Sequence, residues 1–189
     1  MAVLIAGVLL WSVLHLFPVA LPAARARVSE RLGANAYRGL FSLFILAALA
    51  LMVVGWRQAD PAPLYLPPLY GNPLVAVLVF VSFFLFAASH APGNIKRWLR
   101  HPMLTGTVLW SVAHLLANGD DRSVVLFGGL GVWALVSIFL INRRDGAFTP
   151  PPAVPLSRDL KTLAGAAVVF VVVALIHRWL FGVSPFPGF

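Results

Sequence analysis

Apolar runs long enough to cross a lipid bilayer dominate this chain. A helix that spans the bilayer needs about 17–25 predominantly apolar residues. Hydrophobic residues make up 60% of the chain and charged residues 11%, whereas a soluble domain carries about 25% charged residues. We therefore expect an all-α, polytopic transmembrane bundle of about six helices, in contact with membrane lipid and forming one domain over residues 1–189. The predicted spans are Ala2–Leu21, Tyr37–Trp56, Pro73–Ser89, Pro102–Ala117, Val124–Ile141 and Leu163–Phe181.

Basic residues between the runs predict the orientation of the chain. The second and fourth loops hold only Arg57 and Arg122 as basic residues. Since basic loops stay on the cytoplasmic side, the other three loops are predicted to be cytoplasmic, with both termini outside. The first run is followed, not preceded, by basic residues, so we interpret it as a retained span. The basic residues of the cytoplasmic loops are Arg25, Arg27, Arg31, Arg38, Lys96, Arg97, Arg100, Arg143, Arg144, Arg158 and Lys161.

Charge and cysteine content exclude several kinds of site. The formal net charge is +8, but the basic residues form short clusters between apolar runs, which is typical of topology signals and contact with anionic lipid. No basic surface interleaved with stacking aromatics is visible, so we expect no nucleic-acid partner. The chain has no cysteine, which excludes disulfides, thiolate metal sites and cysteine nucleophiles.

Two segments nearly repeat each other. "LWSVLHL" (Leu10–Leu16) and "LWSVAHL" (Leu109–Leu115) differ at one position, and each places a histidine, His15 or His114, inside an apolar run. The two copies are three spans apart, so their helices should run in opposite directions. This arrangement predicts a 3+3 inverted repeat, in which the two imidazoles could share one bound group.

Polar neighbours accompany both histidines. On the fourth predicted helix, the spacings are 4, 3 and 4 residues for Thr107, Ser111, His114 and Asn118, which therefore share one face. Ionisable side chains inside a membrane are costly and are functional candidates by default. The alternative is that both histidines are neutral and hydrogen-bond to neighbouring helices. The candidate cofactor-binding residues are His15, His114, Ser12, Ser111, Thr107 and Asn118.

Two imidazoles without thiolates suit an iron porphyrin. Neutral imidazole is a common axial ligand, and helix bundles hold cofactors between facing helices. Zinc fits less well because a structural zinc site needs four ligands. The predicted spans contain no acidic residue, which disfavours a proton-coupled transporter. His15 and His114 are therefore the first candidates for metal ligands, and His90 and His101 rank behind them. His177 lies near the outer end of the last span, before Arg178 and Trp179, which are interpreted as interfacial anchors.

Three stretches resemble the NnrU family of bacterial membrane proteins. They are "HLFPVALPAARARVSERLGANAYRGLFSL" (His15–Leu43), "RHPMLTGTVLWSVAHLLANGD" (Arg100–Asp120) and "HRWLFGVSPF" (His177–Phe186). The resemblance implies a multi-pass protein of the bacterial inner membrane. It also implies an association with nitrite and nitric oxide metabolism in denitrification.

The family is related to 15-cis-ζ-carotene isomerase, a membrane enzyme with haem b. This relationship implies haem b as cofactor, since the relative's haem-linked histidines fall at positions that match His15 and His114. The isomerase has a further histidine where this chain has Arg57, in "GWRQAD". That difference puts the isomerase's change of haem ligand in doubt for this chain.

Three functions follow from these observations. The first is a haem-b-binding, iron-containing membrane protein with a redox or nitric-oxide-related role. The second is a haem-dependent cis–trans isomerase of a polyene such as 15-cis-ζ-carotene. The third is a membrane accessory protein without cofactor. The sequence leaves open whether the chain is an enzyme, which substrate and redox partner it has, and its oligomeric state.

Overall fold

The computed structural model describes residues 1–185 and is all-helical there, as expected. A single isolated β-bridge, between Pro63 and Asp120, occurs in this part of the chain. The end of the predicted C-terminal motif, residues 186–189, lies outside the described residues. The helices are α1 (Ala2–Ala20), α2 (Pro22–Leu32), α3 (Ala34–Gln58), α4 (Pro73–His90), α5 (Ile95–Trp98), α6 (Pro102–Ala117), α7 (Asp121–Ser123), α8 (Gly129–Asp145) and α9 (Leu156–Phe181), and the segment Val124–Gly128 joins α7 to α8 as a π-helical turn.

Five of these helical segments are long and apolar enough to cross a membrane. They are α1, α3, α4, α9 and the continuous segment Asp121–Asp145, while α6 is a shorter apolar helix of 16 residues. Their outward surfaces carry large apolar side chains such as Leu9, Leu43 and Val132, each more than half exposed. Apolar surface of this kind is stable in lipid and not in water. The chain is therefore a multi-pass membrane protein.

Hydropathy located the spans well, but the helices extend beyond the apolar residues. The predicted run Pro102–Ala117 coincides with α6. By contrast, α9 begins at Leu156, seven residues before the predicted Leu163. A helix continues through polar residues whenever its backbone hydrogen bonds continue, so hydropathy alone misses such ends.

The first basic loop contains a helix that the sequence analysis had not predicted. Helix α2 begins with Pro22 at its first turn and ends before Gly33, whose φ of 83° lies in the left-handed region that favours glycine. None of its residues is buried. The preceding helix passes through Pro18 and ends at Ala20. A proline in the last turn removes only one late hydrogen bond, so it shortens α1 little.

The contacts divide the chain into two compact units. Unit 1 comprises Met1–Leu66 and Gly119–Gly146, and it contains α1, α2, α3, α7 and α8. Unit 2 comprises Pro67–Asn118 and the described chain from Ala147 onward, with α4, α5, α6 and α9. Each unit thus combines helices from both halves of the chain. The expectation of one domain over residues 1–189 stays a prediction, and so does the 3+3 inverted repeat.

In unit 1, small residues bring α3 and α8 close to α1. A Cβ at Gly55 would meet the backbone of Leu4, and a Cβ at Gly7 would lie 2.7 Å from the backbone nitrogen of Met52. A Cβ at Gly129 would lie 2.6 Å from a methyl of Val8. Close packing of this kind is the usual source of helix association in lipid. Gly129 therefore serves helix packing.

The segment Asp120–Arg122 ties the start of the fifth span to the end of α3. The guanidinium of Arg122 lies 4.4 Å from the ring centroid of Trp56, and its Nη1 is 3.5 Å from the carbonyl oxygens of Trp56 and Ala59. Its Nε lies 3.6 Å from Asp120. The fourth loop is therefore anchored by one arginine that serves as both cation and hydrogen-bond donor.

In unit 2, α4 packs against both α6 and α9. A Cβ at Gly106 of α6 would lie 2.9 Å from the ring of Phe86. Phe170 of α9 makes edge contacts with Phe80 and Phe83 of α4, with ring centroids 5.6 and 6.0 Å apart. These contacts hold α6 and α9 against α4.

A polar cluster holds the start of α9 in unit 2. The carboxylate of Asp159 accepts hydrogen bonds from the backbone N–H of Asn94 at 2.7 Å and from its Nδ2 at 2.6 Å. Asn94 also pairs with the backbone of Val154 in both directions. This cluster holds the end of the proline-rich linker Thr149–Pro155, which carries neither helix nor strand.

Candidate functional site

His15 has a defined tautomer in its neutral form. Its Nδ1 lies 2.9 Å from the carbonyl oxygen of Trp11, one helical turn earlier. A carbonyl oxygen can only accept, so Nδ1 carries the proton and donates. The lone pair of the neutral imidazole is therefore on Nε2. The hydrogen bond also fixes the direction in which the ring points.

Aromatic side chains from three helices of unit 1 surround His15. The ring of Trp11 is 4.1 Å from the imidazole, Trp133 of α8 is 5.2 Å away and Phe41 of α3 is 5.9 Å away, between centroids. Tyr37 stacks on Phe41 at 6.2 Å. We call these five residues the His15 cluster. Its rings shield the imidazole and leave it half-buried.

His114 has the same local geometry in unit 2. Its Nδ1 lies 2.8 Å from the carbonyl oxygen of Trp110, and the Trp110 ring is 4.7 Å from the imidazole. The same accept-only argument assigns the proton to Nδ1 and the lone pair to Nε2. The twin motifs therefore fold alike, each with a tryptophan four residues before its histidine.

The polar neighbours of the histidines bond mainly to their own helices. Ser12 donates to the carbonyl of Val8 at 2.7 Å, and Thr107 donates to that of Met103 at 3.1 Å. Asn118 ends α6 and donates from Nδ2 to the carbonyl of His114 at 2.8 Å. Their predicted role in cofactor binding stays a prediction.

Ser111 differs from these neighbours. It is 2% exposed, and its hydroxyl has no hydrogen-bond partner within residues 1–185. A buried hydroxyl without a partner costs stability. Among the predicted cofactor-binding residues, Ser111 is therefore the one whose side chain lacks a hydrogen-bond partner in the described chain.

The remaining histidines lie outside the two motifs. His90 is exposed at the last residue of α4, and His101 precedes α6. Over residues 1–185, no group of three or more histidine, cysteine, aspartate or glutamate side chains is arranged to hold a metal ion. A site built from two imidazoles has fewer protein ligands than such a group.

His177 makes its contacts at the C-terminal end of α9. It belongs to α9 of unit 2, its Nδ1 donates to the carbonyl of Val183 at 2.8 Å, and its ring contacts Phe181. Both of these contacts are made with residues at the end of α9 or just after it.

Sequence reasoning also missed the partners of His15. Tyr37 and Phe41 are four residues apart on α3, and helical spacing could have marked them as one face. Nothing in the sequence connects them or Trp133 with His15, because the three helices meet only in the folded unit.

Comparison with known proteins places the chain in a family. No significant match was found among curated proteins or among solved structures. The sequence profile described as NnrU protein matches residues 3–185, which is nearly the whole chain. The match includes both histidine motifs and, apart from Ala2, all nine helices described above. The chain therefore belongs to the NnrU protein family.

Proposed function

We propose that this chain binds haem b through the imidazole Nε2 atoms of His15 and His114, and that it has a redox or nitric-oxide-related role in the membrane. The observation that supports this most is the hydrogen bond from each Nδ1 to the tryptophan carbonyl one turn earlier. Histidines that bind metals almost always donate their other ring N–H to a carbonyl or carboxylate. The tautomer of each histidine is assigned separately, from contacts within its own unit.

The chemistry of the surroundings also fits a porphyrin. The apolar interior of a membrane bundle favours a neutral ligand, and imidazole is neutral in the tautomer described above. Trp11 and Trp110 cover one side of their imidazoles, which excludes water and limits rotation of the rings. Bound haem would supply a one-electron couple and, at an open coordination position, a binding site for nitric oxide.

Absorption spectra of the purified protein test this proposal. We expect a Soret band, with resolved α and β bands after reduction, in protein from haem-replete cells. His15→Ala and His114→Ala should each lose or shift these bands, because each removes one candidate ligand. His90→Ala is the matched control, since this histidine is exposed at a helix end, and its spectrum should be unchanged.

Addition of free imidazole separates ligation from packing. If His15 ligates iron, imidazole should restore the bands of His15→Ala towards those of the wild type. A wild-type protein without colour would contradict the proposal and favour the cofactor-free accessory protein. Bands that survive both alanine substitutions would show that other residues hold the haem.

A cis–trans isomerase of a polyene is the second candidate, because the resemblance to 15-cis-ζ-carotene isomerase implies matching positions for both histidines. Arg57, which stands in place of that enzyme's further histidine, is exposed in the last turn of α3. Expression in a host that accumulates 15-cis-ζ-carotene tests this function. Conversion of the 15-cis isomer would support it, and no conversion by well-expressed protein would eliminate it.

A further inference from the structure

Three buried donor groups of the His15 cluster have no hydrogen-bond partner in the described chain. They are the indole Nε1 of Trp11, the indole Nε1 of Trp133 and the hydroxyl of Tyr37. An indole N–H can only donate, and a buried donor without an acceptor costs stability. Native proteins leave few such groups, so three in one cluster call for an explanation.

The protein supplies a positive charge beside one of these donors. The guanidinium carbon of Arg25 in α2 lies 5.6 Å from the ring centroid of Tyr37. Tyr37 is the fourth residue of α3, so both residues are near the arginine-rich end of unit 1. No carboxylate of the described chain is hydrogen-bonded to the Tyr37 hydroxyl, and none forms an ion pair with Arg25.

The missing partner should therefore carry acceptor oxygens and a negative charge. Unpaired donors and a cation match a carboxylate, which is acceptor-only when ionised. The cluster runs from Tyr37 at a helix end to Trp11, which is the tenth of nineteen residues in α1. Its occupant must therefore reach from the membrane surface towards the middle of the bilayer.

We propose that the Tyr37 hydroxyl and Arg25 receive a carboxylate of the ligand held by the His15 cluster. Two sources of this carboxylate fit the chemistry: a propionate of haem and the headgroup of a free fatty acid. The haem source rests on the proposed function, whereas the fatty-acid source does not.

Substitution of Tyr37 by phenylalanine isolates the hydroxyl. Tyr37→Phe keeps the ring that stacks on Phe41 and lies beneath Arg25. We expect it to weaken the binding of haem by about 10- to 100-fold, the usual range for a hydrogen bond to a charged group. Its binding of haem dimethyl ester, which lacks the carboxylates, should equal that of the wild type. Tyr70→Phe is the control, because Tyr70 is 74% exposed.

The comparison of haem with its dimethyl ester tests whether the Tyr37 hydroxyl binds a carboxylate. A loss of affinity in Tyr37→Phe that is confined to haem supports the carboxylate site. Equal losses for haem and its ester, or no loss for either, would overturn it for haem. Thermal unfolding of the ligand-free variant should show a midpoint at or above that of the wild type, since an unpaired buried hydroxyl has been removed. A lower midpoint would mean that Tyr37 has a structural role instead, which also contradicts the inference.

A second experiment distinguishes failure of this inference from failure of the proposed function. If the wild type binds neither porphyrin, the haem proposal fails, and oleate labelled with carbon-13 at its carboxyl group tests the site. A carboxyl resonance that is shifted by the wild-type protein and restored by Tyr37→Phe would support a fatty-acid carboxylate. No shift, or a shift that survives the substitution, would overturn the inference altogether.

Discussion

At the scale of single residues, the two histidine motifs show how a short sequence imposes a geometry. Residues four apart in a helix lie one turn apart on the same face, so a histidine four residues after a tryptophan can donate to its carbonyl. Both copies do so, at 2.9 Å for His15 and 2.8 Å for His114. The single letter by which the motifs differ does not touch this hydrogen bond.

Tyr65 offers a test of electrostatics at the residue scale. Burial and the negative charge of Asp120 raise the pKa of Tyr65 above its ordinary value, which is about 10. We expect Asp120→Asn to lower this pKa, because the charge is removed while asparagine can still cap the following helix. Titration of tyrosinate absorbance checks this, with Tyr65→Phe to identify the transition.

The sign of the linked stability follows from the direction of the shift. A group with a raised pKa in the folded state contributes stability that is present below its unfolded pKa and is lost as pH rises through the folded pKa. Stability should therefore fall in the alkaline range, and less steeply in Asp120→Asn. An unchanged titration of Tyr65 in that variant would show that Asp120 is not the source of the shift.

At the scale of helices, caps and small residues decide where elements begin and how closely they pack. The side chain of Asp120 accepts from the backbone N–H of Ser123 at 2.9 Å and from its hydroxyl at 2.8 Å. The helical segment consequently starts at Asp121, three residues before the apolar run that predicted it. Glycines on α3 and α8 then set the distance to α1.

Two glycines of α3 give a matched pair for helix packing. Gly55→Ala should destabilise the protein by about 1–3 kcal/mol, because the added Cβ would meet the backbone of Leu4. Gly39→Ala adds the same methyl where nothing lies within 4 Å. It should be neutral or stabilising by about 0.5–1 kcal/mol, since alanine favours the helix.

Thermal unfolding in detergent measures both variants against the wild type. Equal stability of the two alanine variants would contradict the close approach of α1 and α3. A loss at Gly39 alone would mean that this face of α3 is covered in the membrane.

At the scale of the whole molecule, charge asymmetry between loops predicts the topology. Because the chain has no cysteine, single cysteines can be labelled without background. Leu66→Cys lies in the second loop and Trp98→Cys in the third, and the natural side chains are 93% and 84% exposed. A membrane-impermeant maleimide should label Leu66→Cys in intact cells and Trp98→Cys only after the membrane is opened. The opposite pattern would invert the predicted orientation.

The sequence by itself determined the class of fold and the local geometry of both histidines. Apolar run length and loop charge act along the chain, within a span or a turn, so they can be evaluated without knowledge of distant contacts. For the same reason the short helix α6 was located correctly. The unpredicted helix α2 and the early start of α9 arise from polar residues, to which hydropathy is insensitive.

Only the tertiary structure decided what surrounds each histidine. Phe41 and Trp133 reach His15 from other helices, and Tyr37 stacks on Phe41. It also decided the grouping of helices into two units that each combine both halves of the chain. Such contacts depend on which faces of the helices meet. In lipid that choice is made by close packing and hydrogen bonding, and hydrophobicity does not distinguish one apolar face from another.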